Sequence, residues 1–319
     1  MSTTNPPTLA PLYTSHLSIP YSPLSPLNTL DIHHLTPTPT NPLLSPSYTL
    51  LYIHGGAFRD PLVTSLSIIP SFPAIFSTGH IATIASINYR LSPYPHHPTH
   101  PSHPGDKSRN AKWPDHINDV RDAIKYLQRP GGELEEGKEW IICGHSVGAT
   151  MALMLAMSPS PSLPSPSTHN HDEYGWGHEI PLPGLIGVIG ISGIYDFTAC
   201  RDAHPAMRDI YDAFITGAFG PEEDGGWERG DVRSAGRRVG REVGVVVVGG
   251  SRGDELVEWE QVGAMMGGLE WEEGEGRKVV VEVEGGHMDV VEGGVGVGMC
   301  VGRCLEALVG MEEGRGDGL

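Results

Sequence analysis

Three residue types that together support nucleophilic catalysis follow separate apolar runs of this sequence. Residues 144–148 read Gly-His-Ser-Val-Gly and stand between an apolar run and a segment rich in small residues, Met and Leu. A strand, G-x-S-x-G and a helix form the turn that exposes a strained serine. Asp254 follows a run of valines, and His287 follows the last apolar run. Since a serine needs an imidazole base, and that base needs a carboxylate to orient it, Ser146, Asp254 and His287 predict a catalytic triad.

A second G-x-S-x-G match spans residues 249–253, and chain order separates the two matches. In a chain with 42 glycines among 319 residues, the pattern has little weight without its structural context. Ser146 leaves 173 residues (319 minus 146) for the strands that would carry an acid and a base. Ser251 leaves room for about one more strand before His287. We therefore expect Ser146 to be the nucleophile.

A glycine-rich segment, His-Gly-Gly-Ala-Phe at residues 54–58, follows the apolar run 48–53. Acyl transfer passes through a tetrahedral oxyanion, which needs N–H donors fixed in advance. In a sheet of this kind, the donors come from the loop after the third strand and from the residue after the nucleophile. The predicted oxyanion-hole and substrate-binding residues are therefore His54, Gly55, Gly56, Ala57, Phe58 and Val147.

Other interpretations of these residues are open. Asp254 is also suited to a turn after a glycine, and His287 is one of 16 histidines. His145 adjoins the serine, but on a tight turn its side chain would point away and serve packing. The histidines between residues 96 and 103 lack a neighbouring carboxylate or cysteine at ligand spacing, which favours a solvated loop over a metal site. We therefore predict no metal.

The elements that must position these residues alternate along the chain. Apolar runs predict buried strands at residues 48–53, 81–88, 140–143, 185–191, 243–248 and 279–283. Apolar residues at helical spacing predict helices at residues 114–127, 149–157, 205–218, 256–266 and 297–308. Short edge strands are expected at residues 13–20 and 28–32. This alternation predicts an α/β fold with a mostly parallel sheet flanked by helices, and a site at the carboxyl ends of its strands.

We expect one domain over residues 1–319. Residues 1–12 are expected to be a loose tail, because they are polar and rich in proline and threonine. Two stretches rich in proline, serine and histidine, at residues 93–112 and 158–183, are predicted to be low-complexity loop insertions.

Composition restricts the classes of partner and compartment. The net charge is −18, with 21 basic and 39 acidic residues, which argues against binding nucleic acid or an anionic membrane. Four cysteines without a Cys-x-x-Cys spacing favour reduced thiols. The first residues resemble no signal peptide, and no apolar run approaches the roughly 18 residues that span a bilayer. We expect a cytoplasmic protein whose partner is a small-molecule substrate.

Five segments together resemble the kynurenine formamidases, especially the fungal type, and the related hormone-sensitive-lipase-like esterases. They lie at residues 54–61, 88–93, 144–150, 191–196 and 285–287, within a resemblance that covers roughly residues 28 to 309. The resemblance implies the α/β-hydrolase fold. One position departs from it, because Phe58 stands where the family pattern has Trp.

The resemblance implies an arylformamidase that cleaves N-formyl-L-kynurenine to L-kynurenine and formate, in tryptophan degradation toward nicotinamide cofactors. It implies no metal or organic cofactor. A short-acyl carboxylesterase of the same fold is an alternative, and a non-catalytic binding protein of that fold is an alternative from another class. An exposed closing helix would permit a homodimer.

Overall fold

The computed structural model describes residues 12–158, 181–232 and 238–316. Its eight-stranded sheet has the order β1-β2-β4-β3-β5-β7-β9-β10. These strands are β1 (Tyr13–Pro20), β2 (Thr29–Leu35), β3 (Tyr48–Ile53), β4 (Ile81–Ile87), β5 (Trp140–His145), β7 (Leu185–Ile191), β9 (Val245–Gly250) and β10 (Arg277–Glu282). A separate antiparallel pair joins β6 (Met157–Ser158) to β8 (Arg238–Val239).

The sheet is parallel from β4 to β10, and β1 and β2 are antiparallel to their neighbours. Every residue of β3, β5 and β9 is buried, as expected for central strands covered on both faces. The predicted α/β-hydrolase architecture, a mostly parallel sheet flanked by helices, is confirmed.

Helices cover both faces of the sheet. They are α1 (Phe72–Phe76), α2 (Asp115–Leu127), α3 (Val147–Ala156), α4 (Phe197–Ala203), α5 (Arg208–Phe219), α6 (Glu260–Gly268), α7 (Asp289–Glu292) and α8 (Val295–Gly316). Short 3-10 turns lie at Ser65–Ser71, Lys107–Arg109, Pro205–Met207, Glu222–Asp224 and Trp227–Arg229. One apolar core packs the five helices from α2 through α6 against one face of the sheet. The other core packs α1, α7 and α8 against the opposite face.

Two sequence expectations about elements were wrong. The strand predicted at residues 28–32 is not at an edge, because β2 lies between β1 and β4. The helix predicted from residue 256 begins only at Glu260. Asp254 Oδ1 accepts the N–H groups of Leu256 and Val257, so that segment forms a turn instead.

The predicted insertions and tail are only partly described. Residues 93–112 form a loop with one 3-10 turn at Lys107–Arg109. Most of the predicted tail (residues 1–11) and most of the second insertion (residues 159–180) lie outside the described residues. Within the described ranges, no helix is both long enough and apolar enough to cross a membrane.

Candidate active site

Ser146 occupies a strained turn between β5 and α3. Its φ of 55° and ψ of −128° lie in a backbone region that non-glycine residues rarely adopt. A Cβ on Gly148 would lie 2.2 Å from the carbonyl oxygen of Ile53, so only glycine fits beside the serine. The Ser146 N–H donates to the carbonyl oxygen of Ile191, 2.9 Å away. The turn therefore has the form of a nucleophile elbow, tied to the neighbouring strand.

Asp254 and His287 form a hydrogen-bonded pair after β9 and β10. His287 Nδ1 lies 3.0 Å from Asp254 Oδ1 and 2.9 Å from Oδ2. The Asp254 side chain is only 1% exposed. Burial alone would raise the pKa of Asp254, but the bond and charge of His287 and the N–H donors of Leu256 and Val257 together lower it. The structure thus pairs a buried carboxylate with an imidazole.

This pairing fixes the tautomer of His287. A carboxylate only accepts hydrogen bonds, so Nδ1 of His287 carries the proton that Asp254 receives. In the neutral imidazole, Nε2 is then unprotonated and able to act as a base. The predicted acid and base are therefore together, although 33 residues separate them in the chain.

Two further side chains hold the backbone of His287. His145 Nε2 lies 3.0 Å from the His287 carbonyl oxygen, and Glu255 Oε2 accepts the His287 N–H at 3.0 Å. Burial, with a smaller effect from the charge of His287, lowers the pKa of His145 to about 3. A neutral His145 donates through Nε2, because a carbonyl only accepts. We call His145 and Glu255 the His287 clamp.

The predicted oxyanion loop is oriented by Tyr89. Its hydroxyl lies 3.0 Å from the carbonyl oxygen of His54 and 2.9 Å from that of Gly55. The peptide bonds after these residues are trans, so the N–H groups of Gly55 and Gly56 point away from Tyr89. A Cβ on Gly55 would lie 2.9 Å from Ser146 Cβ, which places the loop against the serine.

Two amides predicted for the oxyanion hole have no acceptor among the described residues. Within the described ranges, neither Gly56 nor Val147 donates its backbone N–H to a protein acceptor. His54 lies behind the loop, stacked on Tyr89 with ring centroids 4.3 Å apart. Its pKa is lowered to about 4 by burial, so His54 is neutral near pH 7. His54 therefore supports the loop without adding charge to it.

Phe58 supports the same loop from inside the core. Ala57 and Phe58 have positive φ values of 50° and 61°. The Phe58 side chain is completely buried and packs against four rings, those of Trp113, His116, Phe197 and Phe219. In this arrangement Phe58 presents no surface to solvent and anchors the strained loop to the core.

The second serine match has a structural role. Ser251 Oγ donates to the carbonyl oxygen of Gly285 at 2.5 Å and accepts the N–H of Gly253 at 3.0 Å. Its φ is not positive, unlike that of Ser146. Ser251 therefore links the loop of Asp254 to the loop of His287 and does not occupy an elbow.

Sequence reasoning missed Tyr89, Glu255 and the bonding role of His145. His145 packs against the ring of His287, with centroids 4.7 Å apart, and also contacts the His287 backbone. Tyr89 carried a detectable signal, because it lies two residues beyond the end of β4, whose neighbour β3 leads into the predicted oxyanion loop. Glu255 adjoins Asp254, so its position at the same loop was also a signal.

Comparison with known proteins places this geometry in a family. A kynurenine formamidase-like hydrolase of Fusarium equiseti is 33% identical over 270 residues, covering 82% of this chain and 84% of that protein. The chain belongs to the kynurenine formamidase-like α/β-hydrolases. A BD-FAE family model also matches residues 38–218. The resemblance inferred from the sequence motifs is thereby confirmed.

One further relative supports the family of this kynurenine formamidase-like chain, and one solved structure supports its fold. A kynurenine formamidase of Aspergillus versicolor is 34% identical over 200 residues, covering 60% of this chain and 59% of that protein. Among solved structures, esterase B of Lactobacillus rhamnosis has a TM-score of 0.65 at 13% identity, covering 97% of this chain and 92% of that one. At that identity, the structural likeness is evidence of the fold alone.

Proposed function

We propose that this hydrolase is a serine-dependent arylformamidase that cleaves N-formyl-L-kynurenine to L-kynurenine and formate. The observations that carry the proposal are the hydrogen-bonded Asp254–His287 pair and the strained elbow of Ser146, whose chain neighbour His145 contacts the backbone and the ring of His287. The formyl-amide substrate is supported by the names of relatives at 33% and 34% identity. By the same resemblance, the reaction would serve tryptophan degradation toward nicotinamide cofactors.

In the first half of the proposed reaction, Ser146 attacks the formyl carbon. His287 Nε2 takes the hydroxyl proton as the oxygen–carbon bond forms. Asp254 stabilises the resulting imidazolium, because its lowered pKa keeps it ionised at neutral pH. The tetrahedral intermediate then collapses, and the imidazolium protonates the departing aryl amine. L-kynurenine leaves, and a formyl-serine remains.

In the second half, water repeats these steps on the formyl-serine. His287 takes a proton from water, and the hydroxide attacks the formyl carbon. Collapse of the second intermediate releases formate, and the proton returns to Ser146. The reaction uses only protein side chains and water, and therefore needs no metal or organic cofactor.

Both intermediates place a negative charge on the former carbonyl oxygen. The N–H groups of Gly55, Gly56 and Val147 are the proposed donors, since Tyr89 directs the loop amides away from itself. Losing one such donor costs roughly 100- to 1,000-fold in kcat in a serine hydrolase. Keeping the donors fixed before substrate binds is the proposed task of Tyr89 and Phe58.

The proposal is tested by the products and by two serine variants. The wild-type protein should convert N-formyl-L-kynurenine to equimolar L-kynurenine and formate. Ser146→Ala should lower kcat on the order of a million-fold, the loss seen for a triad nucleophile in subtilisin. Ser251→Ala should retain most activity, although it removes hydrogen bonds to Gly285 and Gly253 and should lower thermal stability.

Circular dichroism would first establish that both variants are folded. Activity lost in Ser251→Ala but kept in Ser146→Ala would overturn the assignment of the nucleophile. A folded wild-type protein that hydrolyses neither formamides nor esters would instead indicate a binding protein of this fold.

A further inference from the structure

A cysteine, a histidine and a glutamate converge behind the loop that carries Asp254. Cys200 lies on α4, His204 follows the end of that helix, and Glu258 lies just before α6. One ligand atom of each residue lies within 4.8 Å of the other two. In the part of the chain that the structure describes, this is the one group of three such side chains that meets this distance. Cys200 and His204 are four residues apart, so they face the same side.

One oxygen of the Glu258 carboxylate lacks a hydrogen-bond donor within the described part of the chain. Gln261 Nε2 donates to Glu258 Oε1 at 2.6 Å. The other oxygen, Oε2, is buried and accepts no hydrogen bond from the described residues. Its nearest basic atom is His204 Nδ1, 3.8 Å away. Since a buried carboxylate oxygen without a partner is unfavourable, a cation beside Oε2 would be stabilised.

The other two side chains retain a donor atom for the same cation. His204 Nδ1 lies 3.8 Å from Glu258 Oε2 and 2.7 Å from the carbonyl oxygen of Cys200, so Nδ1 carries the proton in the metal-free protein. A cation bound at Nδ1 would move that proton to Nε2. The Cys200 thiol donates to the carbonyl oxygen of Leu256 at 3.7 Å, and burial together with the charge of Glu258 raises its pKa. It would become a thiolate ligand only as a cation binds and replaces its proton.

We propose that Cys200, His204 and Glu258 form a binding site for a divalent transition-metal ion of the zinc type. A donor set of sulfur, nitrogen and oxygen favours zinc over calcium or magnesium, which prefer oxygen alone. Binding would release the thiol proton of Cys200 to solvent. The side chains of His204 and Glu258 are 13% and 15% exposed, so water can reach the ion and complete its coordination.

The separations of the three donor atoms would fit a zinc ion after a small movement of the side chains toward one another. Zinc bonds are about 2.3 Å to sulfur and about 2.0–2.2 Å to nitrogen or oxygen, so tetrahedral donors lie roughly 3.3–3.8 Å apart. Donor atoms separated by no more than 4.8 Å need to approach by about an ångström. Side-chain rotation of Glu258, whose Oε2 has no other partner, supplies part of this movement.

The site is structural and lies outside the proposed reaction. The hydroxyl of Tyr211 and the thiol of Cys200 both contact the carbonyl oxygen of Leu256. The N–H of Leu256 in turn donates to Asp254. An ion at this position would brace α4 against the segment 254–258 and thereby raise the thermal stability of the protein.

Cobalt binding tests the site, because a thiolate ligand gives cobalt a charge-transfer absorption band. The full-length reduced protein, stripped of metal with a chelator, should bind one equivalent of Co²⁺ with this band, and Zn²⁺ should displace it. Cys200→Ser should abolish the band, and His204→Gln and Glu258→Gln should weaken Co²⁺ binding at least tenfold. Cys304→Ser and His100→Gln are the matched controls and should bind as the wild type does.

A wild-type protein without the thiolate band would overturn the proposal, as would a Cys200→Ser variant that binds Co²⁺ unchanged. Thermal unfolding supplies a second readout, in which Zn²⁺ should raise the Tm of the wild type and not that of Glu258→Gln. An equal increase in the Tm of the wild type and of Glu258→Gln would also contradict the proposed site. Hydrolysis by the metal-free protein is expected to persist, so this test is separate from that of the proposed function.

Discussion

Other side chains bind the backbone N–H, the backbone carbonyl oxygen and the imidazole ring of His287. Glu255 accepts its N–H, His145 donates to its carbonyl oxygen, and Asp254 fixes the imidazole. A general base must lie within hydrogen-bond reach of the proton that it removes, and small displacements are costly. The His287 clamp is therefore expected to position the base without touching the substrate.

Removing one side of the clamp should lower kcat with little change in KM. His145→Ala and Glu255→Ala should each reduce kcat roughly 100-fold, the loss associated with a misplacement of about 1 Å. Glu255→Gln keeps an oxygen that accepts the His287 N–H, so it should restore most of the activity. Steady-state kinetics of the folded variants measures both constants. Equal kcat values in Glu255→Ala, Glu255→Gln and wild type would refute the positioning role.

The sequence predicted the proposed triad residues but not the clamp, for a physical reason. Ser146, Asp254 and His287 each follow a strand, and parallel strands end at the same edge of the sheet. His145 and Glu255 instead contact the backbone of His287, and His145 does so across 142 residues. No periodicity or motif encodes a contact between a side chain and a distant backbone group.

The loop at residues 54–58 is an element without regular secondary structure that is fixed from two sides. Tyr89 binds its carbonyl oxygens, and Phe58 inserts into an aromatic cluster between the loop, α4 and α5. The loop contains three consecutive residues with positive φ, from Gly56 to Phe58. Strain of this kind persists only where surrounding contacts hold it.

Truncating Phe58 should affect stability and catalysis together. Phe58→Ala should lower the free energy of unfolding by about 3–5 kcal/mol, because it leaves a cavity in a filled core. Phe58→Trp, which restores the residue of the family pattern, adds volume to that core and should cost about 1–3 kcal/mol. Chemical denaturation measures both, with Leu62→Ala at an exposed position beyond the loop as control. A loss below 1 kcal/mol in Phe58→Ala would contradict the anchoring role.

The boundaries of the strands and helices show where the apolar pattern alone predicts the ends of an element and where it does not. The structure gives β3 and β7 the bounds predicted from their apolar runs, because both strands are buried along nearly their whole length. The start of α6 was mispredicted because the apolar pattern at residues 256–266 says nothing about a competing side-chain bond. Asp254 holds two backbone N–H groups there and delays the helix to Glu260.

At the scale of the whole molecule, several histidines are buried and uncharged in the folded protein. Burial lowers the pKa of His116 and of His145 to about 3, and that of His54 to about 4, from an ordinary value of 6.5. Between those values and pH 6.5, the unfolded chain binds protons that the folded chain excludes. The free energy of unfolding therefore falls as the pH decreases from 6.5. The lowered pKa of Asp254 acts in the same direction at lower pH.

His116→Phe should make this decrease with pH shallower. The Phe side chain fits among Phe58 and Trp113, and Ser92 keeps its bond to the Ala111 carbonyl oxygen. Each buried histidine contributes up to about 1.4 kcal/mol per pH unit within the window, so the variant should lose about that slope. Urea denaturation between pH 6.5 and pH 4.5 measures it, with His100→Phe as the exposed control. An unchanged slope in His116→Phe would show that this histidine is not buried neutral.

Selectivity for the acyl group tests the central claim most directly, namely that this chain is a serine hydrolase that acts on a formyl amide. The measurement is kcat/KM for N-formyl-L-kynurenine, its N-acetyl analogue, and acetyl and butyryl esters. We predict that formyl is preferred over acetyl on the kynurenine amine by more than the ~1 to 3 kcal/mol that one methyl group usually contributes. The reason is that steric rejection by a packed acyl wall can exceed the gain from burial. Equal kcat/KM values on the formyl, acetyl and butyryl substrates would contradict the account and leave a general esterase.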